Sequence, residues 1–80
     1  MGGMSDAALL DRIVVNPDMA GGKATIRGHR IWVSLILGRL ADGMTVSEIL
    51  SEYPGLEEAD VRACIAYGAR LTSGPFVDVA

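Results

Sequence analysis

The chain has 80 residues, 50% of them apolar and 21% charged, and its formal net charge is −3. This length suits one small domain, and the composition is too apolar for a disordered tail and too charged for a membrane protein. The longest nearly uncharged apolar run, residues 31–38, is far shorter than the ~20 residues of a membrane span.

Two further features predict the compartment. The first six residues lack the basic and apolar regions of a secretion signal. Cys64 is the only cysteine, so no disulfide can form within the chain, and a reducing compartment suits it. We therefore expect a cytoplasmic protein.

The charges are divided unevenly along the chain. Up to residue 40 there are five basic and three acidic residues, and from residue 41 onward there are two basic and seven acidic residues. This polarity favours head-to-tail association or a partner that meets one face only, although ordinary solvated surface explains it equally well.

The sequence predicts a single domain between two short end segments. Residues 5–10 have only one or two turns of helical pattern beside the terminus, so we assign residues 1–11 to a flexible N-terminal segment. One domain follows over residues 12–74, because no repeat or linker divides it, and residues 75–80 form a tail.

The domain begins with a predicted short β-hairpin or β-arm. Residues 12–15 are rich in β-branched side chains, and the turn sequence Asn16-Pro17-Asp18 follows them. After Gly21-Gly22, residues 24–26 have the character of a second short strand, which ends at Gly28.

Helical spacing starts at Trp32, and Gly43 stands where a left-handed residue would end that first helix. Thr45 and Glu48 have the spacing of a capping box, in which each side chain accepts a bond from the other's backbone N–H. Pro54-Gly55 then stops the second helix.

A third helix is predicted from about Glu57, with Glu58 and Asp60 placing negative charge at the positive end of its dipole. We expect its apolar face to carry Val61, Cys64, Ile65, Gly68 and Ala69. The fold class is therefore mainly α: three helices after the β-arm, the last two joined by a tight turn as in a helix-turn-helix.

Residues 13–71 resemble the family known as domain of unknown function 433. The resemblance rests on ordered motifs, namely Asn16-Pro17, Gly21-Gly22-Lys23, residues 26–31, Gly43-Met44-Thr45, Glu48-Ile49-Leu50 and residues 53–56. It implies a homeodomain-like helical bundle and an antitoxin-like role beside a small nuclease-like toxin. It also implies DNA binding that regulates the protein's own operon.

Lys23, Arg27, His29 and Arg30 form a basic cluster on the arm. Cations on a glycine-rich arm beside a helix-turn-helix can bind DNA phosphates or reach into a minor groove. Against this, the third helix, which would read bases, opens with three acids that repel phosphates. Arg30 can instead be structural, bridging the arm to the acidic helices.

No residue pattern predicts an enzyme. Lys23 lacks the glycine spacing of a phosphate-binding loop, His29 has no second ligand at zinc spacing, and nothing marks a base that would activate Cys64. We expect no catalytic residue, no metal, no cofactor and no small-molecule substrate.

The ends of the domain predict association. Residues 75–79 alternate like a short strand, and strands with unpaired edges tend to pair with other chains. We expect a homodimer that uses the β-arm or the tail, with the same surface open to a toxin protein. A DNA-binding transcriptional regulator without a toxin is the alternative function. The residues assigned to the interface are Ile13, Val15, Phe76, Val77 and Val79.

Overall fold

The computed structural model describes residues 5–15 and 23–72. Over these residues the protein is mainly helical with a small two-stranded antiparallel sheet, which confirms the predicted class in outline. The turn sequences Asn16-Pro17-Asp18 and Gly21-Gly22 and the tail lie outside the described residues. The elements are α1 (Asp6–Leu10), β1 (Ile13–Val15), β2 (Ala24–Ile26), α2 (Val33–Ala41), α3 (Val46–Glu52) and α4 (Glu58–Thr72).

Helix α1 lies in the segment for which the sequence predicted flexibility. The Ser5 hydroxyl caps it by accepting from the Ala8 N–H at 3.2 Å. Five residues are too few for a stable isolated helix, so packing must hold it in place. Leu9 is buried, and α1 packs on α4.

The two predicted strands form an antiparallel hairpin. Ile13 pairs with Ile26, Val14 with Thr25, and Val15 with Ala24. Gly28 has a φ of 82°, so the turn after β2 adopts a left-handed conformation that glycine permits without a Cβ penalty. The chain then returns alongside β2 through a bridge between Thr25 and Trp32.

The second predicted helix has the expected capping box. The Thr45 hydroxyl accepts from the Glu48 N–H at 3.1 Å, and the Glu48 carboxylate accepts from the Thr45 N–H at 2.8 Å. Gly43 has a φ of 96°, which confirms the left-handed residue predicted after the first helix. These local signals determine where α2 ends and where α3 begins.

The core lies between the sheet and α2, α3 and α4. Two members of the predicted apolar face of α4 are misplaced, since Ile65 is 46% exposed and Ala69 is also exposed. The buried residues of α4 are Asp60, Val61, Ala63 and Cys64, so Val61 and Cys64 lie inward as predicted. No described helix is long and apolar enough to cross a membrane. The buried cluster comprises Ile26, Val33, Ile36, Ile49, Leu56, Val61 and Cys64.

Candidate functional site

An open groove of about 240 Å³ lies between β2, α2 and the C-terminal half of α4. Its floor is a close helix contact, since a methyl group placed on Gly68 would lie 3.2 Å from Cδ1 of Leu37. Leu71, on the last turn of α4, is 67% exposed at its edge. The lining residues are Lys23, Ala24, Val33, Ser34, Leu37, Tyr67, Gly68 and Leu71.

Lys23 is the one charged residue among those that line the groove. Its Nζ lies 5.0 Å from the centre of the Trp32 ring, within the range of a cation–π contact. Trp32 is itself 41% exposed, immediately before α2. The groove is thus mainly apolar, with one ammonium group held over an aromatic ring.

The structure separates the predicted basic cluster into two places. Arg27, His29 and Arg30 line a shallow depression beside the turn at Gly28, whereas Lys23 belongs to the groove. Arg27 forms an ion pair with Asp11 at 2.6 Å and also donates to the Asp11 carbonyl.

His29 and Arg30 differ in their surroundings. The His29 ring lies against the Pro54-Gly55 turn, since a methyl group placed on Gly55 would be 3.3 Å from its Cε1. The side chain of Arg30 is exposed and makes no ion pair or hydrogen bond with the residues that the structure describes. Arg30 is therefore an exposed cation of this depression that has no partner among the described residues.

A polar junction that the sequence did not predict joins the hairpin to α4. The Arg12 guanidinium donates to Glu57 at 2.9 Å and to Asp60 at 3.0 Å. These hydrogen bonds raise the pKa of Arg12 above its ordinary value. Asp60 also accepts from the Glu57 N–H at 2.8 Å, which satisfies a free donor at the start of α4.

The surroundings of Asp60 are the part of this junction that the sequence did not predict. Asp60 lies in the first turn of α4 as expected, but it is only 6% exposed and is paired with Arg12. The signal available in the sequence was its place three residues into the helix, where a carboxylate can accept from the N-cap N–H. Nothing in the local sequence pointed to Arg12.

A further ion pair connects α2 and α3. Arg39 Nε lies 3.7 Å from Glu52 Oε1. The hydrogen bond between Arg39 and the Tyr53 side chain, and then the attraction of Glu52, raise the pKa of Arg39. The pair bridges the two helices at the surface, where exposed ion pairs add little to stability.

The Cys64 thiol is enclosed in the core. Burial, and secondarily the negative charge of Asp60, raise its pKa from 9.0 to about 12. The thiol therefore stays protonated at neutral pH and packs as an apolar group. Within residues 5–15 and 23–72, no three histidine, cysteine or acidic side chains gather in a way that could hold a metal ion.

The residues that the sequence analysis assigned to an association surface lie in different places. Ile13 packs against the core, and Val15 is 51% exposed at the edge of the sheet. Phe76, Val77 and Val79 lie outside the described residues. Leu71 and Trp32, which the sequence analysis did not assign to a surface, add large exposed apolar groups.

Comparison with known proteins gives one match. A search of curated proteins and a search of solved structures both found none. The family model described as "Protein of unknown function (DUF433)" matches residues 13–68, which span β1, β2, α2, α3 and most of α4. The chain therefore belongs to the DUF433 family.

Proposed function

We propose that this protein is a non-enzymatic, antitoxin-like binding module that masks a small nuclease-like toxin. The observation that carries the proposal is the apolar groove between β2, α2 and α4. Large exposed apolar patches on small proteins mark interaction sites, and here Leu71 and Trp32 extend the apolar surface at and beside the groove.

The size of the groove favours protein side chains over a small molecule. Its volume of about 240 Å³ is below the roughly 300–1,000 Å³ of small-molecule pockets. It has room for one or two apolar side chains, and Lys23 at its margin would attract an acidic group beside them. The partner segment we propose is therefore apolar with one carboxylate.

Charge also suits a toxin that acts on nucleic acid. Such enzymes carry basic surfaces that bind phosphates. This chain has a net charge of −3, and Asp42, Glu48 and Glu52 are exposed on and beside α3. An acidic protein is drawn to a basic partner by long-range attraction, which speeds their association.

DNA binding is the alternative, and we infer for it the homeodomain-like bundle of α2, α3 and α4 that the family resemblance implies. In that arrangement α4 would enter the major groove. However, α1 packs on α4, and the exposed acid Glu58 lies in its first turn. Arg27 is also engaged by Asp11. These contacts favour a protein partner. The exposed side chain of Arg30 is the observation that favours DNA binding.

The test uses the product of the gene beside this one, where that gene encodes a small nuclease-like protein. We expect the parent chain to bind it in calorimetry and to inhibit its nuclease activity. Leu71→Asp should weaken binding at least about tenfold, since it places a charge at the groove. Ile65→Asp is the matched control, because Ile65 is exposed on the same helix but does not line the groove.

Equal losses from Leu71→Asp and Ile65→Asp would contradict a groove-mediated contact. If the parent chain does not bind the product of the neighbouring gene but does bind a labelled DNA duplex, the result would support the alternative function, a DNA-binding regulator. In that case Arg27→Ala and Arg30→Ala should each reduce the slope of log affinity against log salt by about one.

A further inference from the structure

The backbone hydrogen bonds of the hairpin determine which groups of β1 face β2. The Arg27 N–H donates to the Arg12 carbonyl at 2.7 Å, so Arg12 and Arg27 form a hydrogen-bonded pair. Such pairs alternate with non-bonded pairs along an antiparallel ladder. In the observed register, the next bonded pair is Val14 with Thr25.

A second hydrogen bond gives the same alternation. The Ile26 N–H donates to the Ile31 carbonyl at 3.0 Å, on the side of β2 away from β1. Ile26 therefore does not bond to Ile13, its opposite residue in the hairpin. It follows that the N–H and C=O groups of Ile13 and Val15 point away from β2, toward the outer edge of β1.

This outer edge is available within the described part of the molecule. The sheet there contains only β1 and β2, and no other described strand pairs with β1. Val14 and Val15 are 36% and 51% exposed. Two residues with unpaired backbone groups, separated by one that bonds inward, form a template for another strand.

We propose that the outer edge of β1 pairs with β1 of a second copy of this chain. The pairing is antiparallel, about a two-fold axis at Val14. Ile13 then exchanges two backbone hydrogen bonds with Val15 of the partner subunit, and symmetry repeats the exchange for Val15 with Ile13 of the partner subunit. The result is a continuous four-stranded sheet.

The edge is complementary to itself, which is why a second copy is the occupant we infer. Placing Val14 on the two-fold axis makes it face Val14 of the partner subunit in a non-bonded pair, where side chains lie closest. Two exposed valines then become an apolar cross-strand contact. Isologous contacts of this kind use the β1 edges of both copies and close a dimer rather than extending a fibre. The inference does not depend on the toxin proposal, because the groove is lined by other residues.

Disulfide trapping tests the register directly. Residues in a non-bonded antiparallel pair have Cα atoms about 4.5 Å apart, which a disulfide can bridge. Val14→Cys should therefore form a covalent dimer under mild oxidation. Val15→Cys is the matched control, because the two introduced cysteines would be offset along the strands and too far apart to join. Cys64 is buried and does not compete.

Light scattering of the parent chain and of Val15 variants gives the second measurement. The parent should show a dimer that dissociates on dilution. Val15→Pro removes an outward N–H while leaving the bonds of Val14 to β2, so the dissociation constant should rise at least about tenfold. Val15→Thr keeps the N–H and should dimerise like the parent, and Leu71→Asp in the groove should also leave the dimer intact.

Three results would overturn the inference: a parent that stays monomeric up to millimolar concentration, equal trapping by the two cysteine variants, or a Val15→Pro protein that dimerises like the parent. If Val15→Pro fails to fold, the comparison of the two cysteine variants still decides the matter. Loss of toxin binding by Leu71→Asp with an intact dimer would separate this surface from the groove.

Discussion

Removal of the Thr45 hydroxyl tests how α3 begins. In Thr45→Ala the Glu48 N–H loses its 3.1 Å bond, while the 2.8 Å bond from the Thr45 N–H to the Glu48 carboxylate uses the backbone and can persist. One of the two capping bonds is therefore lost. Because the site is exposed and water can replace the hydroxyl, we expect the free energy of unfolding to fall by about 1 kcal/mol.

That loss is large enough to measure in a domain of this size. It corresponds to a drop in melting temperature of roughly 4–8 °C, or to a lower urea midpoint with an unchanged slope when unfolding is followed by circular dichroism. Thr45→Ser is the control, because it keeps the accepting oxygen and should remain close to the parent. The reasoning fails if Thr45→Ala has the same melting temperature as the parent, or if Thr45→Ser lowers the free energy of unfolding as much as Thr45→Ala does.

Three other perturbations test the backbone, the core and the thiol. Gly43→Ala should lower the free energy of unfolding by about 1 kcal/mol, because the φ of Gly43 is 96°. Gly38→Ala should raise it by roughly 0.5–1 kcal/mol, because Gly38 lies inside α2 and nothing lies within 4 Å of the added methyl group. Chemical denaturation of the two variants distinguishes backbone strain from steric crowding. Ile36→Ala should cost roughly 2–5 kcal/mol because Ile36 is fully buried, and a loss below 1 kcal/mol by the same method would contradict its place in the core. The Cys64 pKa is raised from 9.0 to about 12, so its contribution to stability is complete below pH 9 and is lost as pH rises toward 12. A thiol reagent at pH 8 should therefore label the unfolded chain much faster than the native one, and equal rates would count against this burial.

The features that the sequence predicted well are those decided within a few residues. The capping box depends on Thr45 and Glu48, three positions apart, and Gly43 has a left-handed φ because it directly follows a helix end. The hairpin strand over residues 24–26 was predicted with its observed bounds. In each case the interacting groups are close in sequence, so local chemistry alone fixes the geometry.

The features that were missed depend on contacts between distant parts of the chain. Arg12 and Asp60 are 48 positions apart, and no local pattern distinguishes that arginine from one in solvent. Helix α1 has no strong pattern of its own and is stabilised by packing on α4. Likewise the separation of Lys23 from Arg30 follows from the return of the chain alongside β2, which brings Trp32 rather than Arg30 beside Lys23.

The dependence of the N-terminal elements on α4 also bears on how the protein forms in the cell. A ribosome makes α1 and the hairpin first, yet α1 packs on α4, and Arg12 pairs with Glu57 and Asp60 where α4 begins. Until α4 has left the exit tunnel, α1 and Arg12 lack the surface on which they dock, although β2 can already pack against α2. The domain must therefore complete its folding only after α4 emerges, and until then the edge of β1 is the part most open to premature pairing with other nascent chains.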